Sequence, residues 1–139
     1  MKSRETLIRL KKFQVDEKRR RVSQIEAMIA DFQRMSVDLE REIQSEQERA
    51  GINDPSHFAY PTYAKAAIQR RENLTRSAEE LRVQLDEARG LLSEAFDELK
   101  KVELLDERDQ ARERAEESAR EQADLDSIGL MRARIGAIA

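Results

Sequence analysis

The stretch LTRSAEELRVQLDEARGLLSEAFDELKKV, residues 74–102, decides the fold. Leu74, Ala78, Leu81, Leu85, Ala88, Leu92, Ala95, Leu99 and Val102 follow one another at alternating spacings of four and three residues. Such a repeat keeps one apolar seam in line along two slightly underwound helices, so it predicts a coiled coil. A membrane-surface helix is the rival reading, but its apolar face is broader and richer in large side chains. Continued backward, the steps reach Arg71, Ala67 and Ala64. Continued forward they reach Asp106 and Asp109, and the apolar seam stops.

A second seam lies upstream. Residues 3–50 hold neither Gly nor Pro and read as one helix. Val22, Ile25, Ile29, Phe32, Leu39 and Ile43 mark its apolar stripe, with Ser36 as the one polar member. Val15 and Ile8 extend it toward the N-terminus, alternating with Lys18 and Lys11. Leu7, Leu10 and Phe13 fall outside this register and form a second strip or a shifted seam.

Between the helices, residues 51–62 read as a turn that has room for one short helical piece. Gly51 suits the residue that ends a helix, and Asp54–Pro55 suit a cap and first helical position. Helix one is roughly 70 Å long, whereas the connection stretches at most about 40 Å. The chain therefore cannot return to the start of helix one, and the helices of one chain must pair antiparallel. Matching the seams sets Ile29 opposite Leu81, Ile25 opposite Leu85, Val22 opposite Ala88 and Phe32 opposite Ala78. A slip by one heptad is the competing register. The expected fold is all-α, a long antiparallel two-helix coiled coil. It forms a single domain over residues 1–139, with helix one at about 3–50, the turn at 51–62, helix two at about 63–126 and an apolar tail at 127–139.

Composition agrees. Charged residues are 40% of the chain and aromatics only 4%, which suits one apolar stripe per helix better than a thick core. Cysteine is absent, so disulfides, thiolate metal sites and a Cys nucleophile are excluded. The single His57 rules out His clusters and a Ser/His/Asp triad, and no phosphate-binding loop or HExxH occurs. Carboxylates abound, but solvated helix faces always look this way, and a two-helix rod has no enclosed pocket for acid–base work. No enzyme activity and no cofactor are expected. The N-terminus lacks the apolar core of a signal peptide, and no run is long enough to span a bilayer, so a soluble, cytosolic setting is expected.

Charge is unevenly placed. Residues 2–21 are strongly basic and residues 103–126 acidic, and antiparallel pairing lays these stretches side by side. The KRRR run at 18–21 raises nucleic acid as a partner, but no aromatic platform interleaves with it and the net charge is −3. A solvated face balanced by an acidic neighbour is the plainer reading. The end of the chain, with Ile128, Leu130, Met131, Ile135 and Ile138, is apolar again. It is either a frayed tail or a segment ordered by a partner.

HFAYPTYA, residues 57–64, gathers Phe58, Tyr60 and Tyr63 and the only histidine. A hairpin needs a turn here, but a thin tip offers little interior for three rings. They either pack the hairpin end or anchor a partner.

Taken with ETLIRL at 5–10, LEREIQSEQERAG at 39–51 and AREQADLD at 119–126, the arrangement resembles the FliJ family over essentially the whole chain. These are small coiled-coil components of the flagellar type III export apparatus. The resemblance implies a cytoplasmic stalk, peripheral to the membrane export apparatus, whose terminal end inserts into the hexameric export ATPase. It implies promotion of that ring's assembly and activity, a link to the cytoplasmic domain of the export gate, and contact with substrate chaperones. Carried onto this sequence, the gate contact falls on Tyr60, Tyr63, Ala67 and Leu74, while Pro61 departs from the family pattern. Leu7, Leu10 and Phe13 are then free to face the ring, and Ile128, Leu130 and Met131 extend that contact if the helix continues. A generic antiparallel coiled-coil adaptor and a nucleic-acid-binding rod are the alternatives.

Overall fold

Glu, Arg, Lys, Ala and Leu are the strong helix formers, and here they build two long elements. The computed structural model describes residues 2–138 as α1 (Lys2–Ala50) and α2 (Thr62–Ile138), with no strand among the described residues. The fold is an all-α helical hairpin. α2 does not stop near Asp126 but runs through Gly129 and Gly136. A helical glycine costs only about 1 kcal/mol relative to alanine, and Leu130, Met131, Arg132, Ala133 and Arg134 between them all favour helix. No helix among the described residues is long and apolar enough to cross a membrane.

The chain forms two compact units, one of Phe13–Phe96 and one joining the start of α1, up to Lys12, to α2 from Asp97 onward. In the first unit, Val22, Ile25, Ile29, Leu81, Leu85 and Ala88 form one buried cluster, with Phe32 and Leu92 packed against it. These are the residues that the matched seams set face to face. Arg71 pairs with Glu40, and the Arg19 guanidinium lies 5.4 Å from the Phe96 ring centre. A slip of one heptad would move each partner by about 10 Å along the axis, so the cluster that joins Ile29 with Leu81 and the Arg71–Glu40 pair exclude it.

A second cluster joins Leu39, Ile43 and Ala67, with Ile68 and Leu74 beside it. The two clusters are separate because Ser36 occupies the seam between them. Its short side chain leaves a groove of about 410 Å³, lined among others by Phe32, Ser36, Leu74 and Ala78.

The turn closes by local chemistry. Gly51 adopts φ = 69°, the left-handed conformation that only glycine takes without strain. The Ile52 N–H then reaches back to the Gln47 carbonyl at 3.3 Å, the six-to-one bond of a Schellman cap. Asp54 accepts hydrogen bonds from the Ser56 N–H (3.0 Å) and hydroxyl (2.7 Å), which hold its carboxyl below the usual range. Two reverse turns follow, with the His57 N–H bonded to the Asp54 carbonyl and the Tyr60 N–H to the His57 carbonyl, each at 3.1 Å. No short helix forms here, because Asp54 folds into this side-chain turn instead of capping one.

In the other unit the seam positions turn ionic. Arg4 takes the next place on α1 after Ile8, and its guanidinium meets Asp106 (3.4 Å), Asp109 (3.3 Å) and Glu113 (2.9 Å) on α2. Only the Nη2–Glu113 contact is aligned as a hydrogen bond; Nε and Nη1 lie buried in ion-pair contact without one. Lys11 bonds Glu98 at 2.9 Å, which holds that carboxyl below its ordinary range.

Two outcomes test this packing. Because the chain has no cysteine, Ile29→Cys with Leu81→Cys should form a disulfide within one chain in dilute oxidising solution; bridges only between chains would contradict the hairpin. Ser36→Ile should fill the groove and join the clusters, raising stability by about 1–2 kcal/mol in urea unfolding. A lower midpoint would mean the seam is already full at that point.

Candidate functional site

The aromatic turn separates its three rings by environment. Continuing the four-and-three steps of α2 backward past Ala64 lands on Tyr60, and the structure buries it, at 5% exposure. Its hydroxyl accepts from Gln47 Nε2 at 2.8 Å, tying the last turn of α1 to the residue that precedes Pro61. A thin tip does therefore have an interior, large enough for one ring. Ala64 and Ala67, the next two positions of the same seam, are themselves buried.

Tyr63 lies off that seam and remains 53% exposed. Its hydroxyl donates to Glu42 Oε2 at 2.7 Å. That bond, followed by the Glu42 charge, raises the phenol above its ordinary value of 10.0, because ionising the ring would set two anions side by side. The ring borders a shallow recess of about 400 Å³ shared with Arg41, Glu42, Ser45, Glu46 and Arg49.

Phe58 is the most open ring, at 95% exposure, and stacks on His57 with centroids 4.7 Å apart. The imidazole is oriented by the Ala59 N–H, which donates to His57 Nδ1 at 3.0 Å. Of the four positions expected to meet the gate, Tyr60 and Ala67 are thus inside the hairpin, Leu74 is half-buried, and Tyr63 faces solvent. Phe58 was not among them. Its signal was its place two residues before Tyr60, outside both seams.

The terminal unit offers a different surface. Leu7 and Leu10 are exposed, as their position outside the seam predicts, and so are Leu104 and Leu105 on α2. Phe13, on α1 in the other unit, is also exposed. Past Glu113, the last residue that α1 contacts through Arg4, α2 continues with every residue described exposed, including Ile128, Leu130 and Met131. Among the described residues there is no cluster of three or more metal-ligating side chains.

The profile of the flagellar FliJ protein family matches residues 1–136. The chain belongs to the FliJ family. FliJ is a family of non-enzymatic flagellar export components, and membership implies that this chain is a flagellar export component. Comparison with curated proteins and with solved structures finds no significant match.

The Tyr63–Glu42 bond has a direct readout. With Tyr60→Phe, Tyr63 is the only phenol, and its ionisation can be followed by ultraviolet difference absorbance. Its pKa should lie above 10.0 and fall toward that value in Glu42→Ala. The bond is complete below pH 10.0 and is lost as pH rises through the raised pKa. An unmoved titration would show that the two groups do not meet in solution.

Proposed function

We propose that this FliJ-family chain is a cytoplasmic stalk whose terminal unit enters the export ATPase ring and whose turn docks on the cytoplasmic domain of the membrane export gate. On this reading it promotes assembly and activity of the ring, receives substrate chaperones, and carries no catalytic group. The observation that carries the reading is the terminal part of α2. It is a helix rich in exposed apolar side chains, and every residue described after Glu113 is exposed. Leu7, Leu10, Ile128, Leu130 and Met131 are the proposed ring contacts, with Phe13 as their neighbour along α1. Apolar side chains in water at a protein's end favour burial by a partner.

At the turn, Tyr63 is the proposed anchor for the gate, and Phe58 adds an open ring beside it. Tyr60 and Ala67 support the contact from beneath by fixing where α2 begins, and Leu74 lies farther along the same helix. A nucleic-acid rod is disfavoured because no aromatic platform interleaves with the KRRR run at 18–21 and the net charge is −3.

Two variants separate the contacts. Tyr63→Ala should weaken binding to the purified gate domain by about 2 kcal/mol, roughly 30-fold, with the helical content unchanged. Leu7→Asp with Leu10→Asp should abolish stimulation of the ATPase while leaving gate binding intact. Full stimulation by that double variant would place the ring contact elsewhere. Loss of both activities with the fold preserved would favour a generic adaptor over two dedicated surfaces.

A further inference from the structure

Every buried apolar side chain among the described residues lies in the unit Phe13–Phe96. The terminal unit has none among its described residues: Ile8, Leu99 and Val102 are the apolar members of its seam, and all three are half-buried. The bonds that join the start of α1 to α2 in that unit are ionic. Arg4 meets Asp106, Asp109 and Glu113, and Lys11 meets Glu98. The side chains of Glu98 and Glu113 are each 54% exposed, so water and salt reach these pairs, and exposed ion pairs add little net stability. Arg4 is also held at a cost. Its Nε and Nη1 are buried without an aligned hydrogen bond, and they regain water when the contact breaks.

We infer that the terminal unit is an ionic clasp: the first turns of α1, up to Lys12, part from α2 and return, while the apolar clusters around Ile25 and Ile43 stay packed. Arg4 fastens the clasp, because it alone bridges three carboxylates, and Lys11 adds one further link. The closed form fixes direction through charge, and with no buried apolar side chain to lose, it opens at lower free energy than the seam around Ile25. Opening uncovers Ile8, Leu99 and Val102 and adds them to Leu7, Leu10, Leu104 and Leu105, which are in water already. The clasp rests on the contacts of the terminal unit alone. Its consequence, that an export ATPase ring reaches Ile8, Leu99 and Val102 in the open form, rests on the function proposed above.

Distances between pairs of spin labels on the full chain test the clasp, since the chain has no cysteine of its own. Labels at Arg9→Cys with Lys100→Cys report the terminal unit from exposed positions outside the ionic contacts. Labels at Ser23→Cys with Asp86→Cys, also exposed and in the same register, report the other unit. The terminal pair should show a short and a long distance, and the long component should grow about threefold between low salt and about 0.5 M salt, while the other pair keeps one short distance. Arg4→Gln leaves three carboxylates unpaired on one face of α2 and should shift the equilibrium about tenfold toward the open form. Arg4→Leu with Asp106→Leu sets apolar side chains at matched seam positions and should remove the long component. One short distance at every salt, in the parent chain and in Arg4→Gln alike, overturns the inference. Equal broadening of both label pairs overturns it as general loosening, and a long component that persists in the Arg4→Leu, Asp106→Leu protein overturns it as plain fraying of a helix end. Stimulation of the export ATPase is measured separately. If the clasp opens and the closed Arg4→Leu, Asp106→Leu protein still stimulates fully, the consequence for the ring fails while the clasp stands.

Discussion

The contact between the two seams is the interaction on which the rest of this fold depends. Each helix brings a single apolar stripe, and there is no second layer to share the load. Among the described residues, Ile25, at 1% exposure, is the one large side chain that is fully buried. Long isolated helices gain little from propensity alone, and most helical stability in a protein comes from packing an amphipathic face. The seam therefore does two tasks at once: it holds the helices together and it keeps each of them helical. Where it ends, past Glu113, α2 relies on helix-forming residues and short-range pairs such as Arg112 with Asp109 and Gln122 with Asp126.

Most of the fold was legible because a coiled coil writes its packing directly into residue spacing. The faces of both helices, their antiparallel pairing and the Gly51 ending all follow from period and turn chemistry. The continuation of α2 past Asp126 was harder to read, because Gly129 and Gly136 suggested fraying and their modest cost is outweighed by their neighbours. The turn was read with too little geometry. Tyr60 falls on the backward extension of the α2 seam and is buried for that reason, whereas Tyr63 falls beside it and stays open. Grouping the rings as a set hid that difference. Phe58 stayed out of the expected gate contacts because the family resemblance placed these at Tyr60, Tyr63, Ala67 and Leu74.

The ionic end shows the same rule applied to polar residues. The register that sets Ile8 opposite Val102 sets Arg4 opposite Asp106, so the apolar pattern stops but the spacing does not. Arg4 reaches three carboxylates because positions 106, 109 and 113 share one face of α2. Its two poorly aligned buried nitrogens make this a weaker seal than the apolar clusters, since donors removed from water without good bonds carry a cost. Charge at this end specifies direction more than it adds stability.

Ser36 has a further consequence for cooperativity. By dividing the core, it separates a large cluster around Ile25 from a small one around Ile43, Leu39 and Ala67. The small cluster, together with the Gln47–Tyr60, Glu42–Tyr63 and Glu40–Arg71 links, holds the turn. Segments with few apolar contacts open at lower free energy than the rest of a protein, and they do so as units. On that principle the turn should open at lower free energy than the packing around Ile25, on the near side of Ser36.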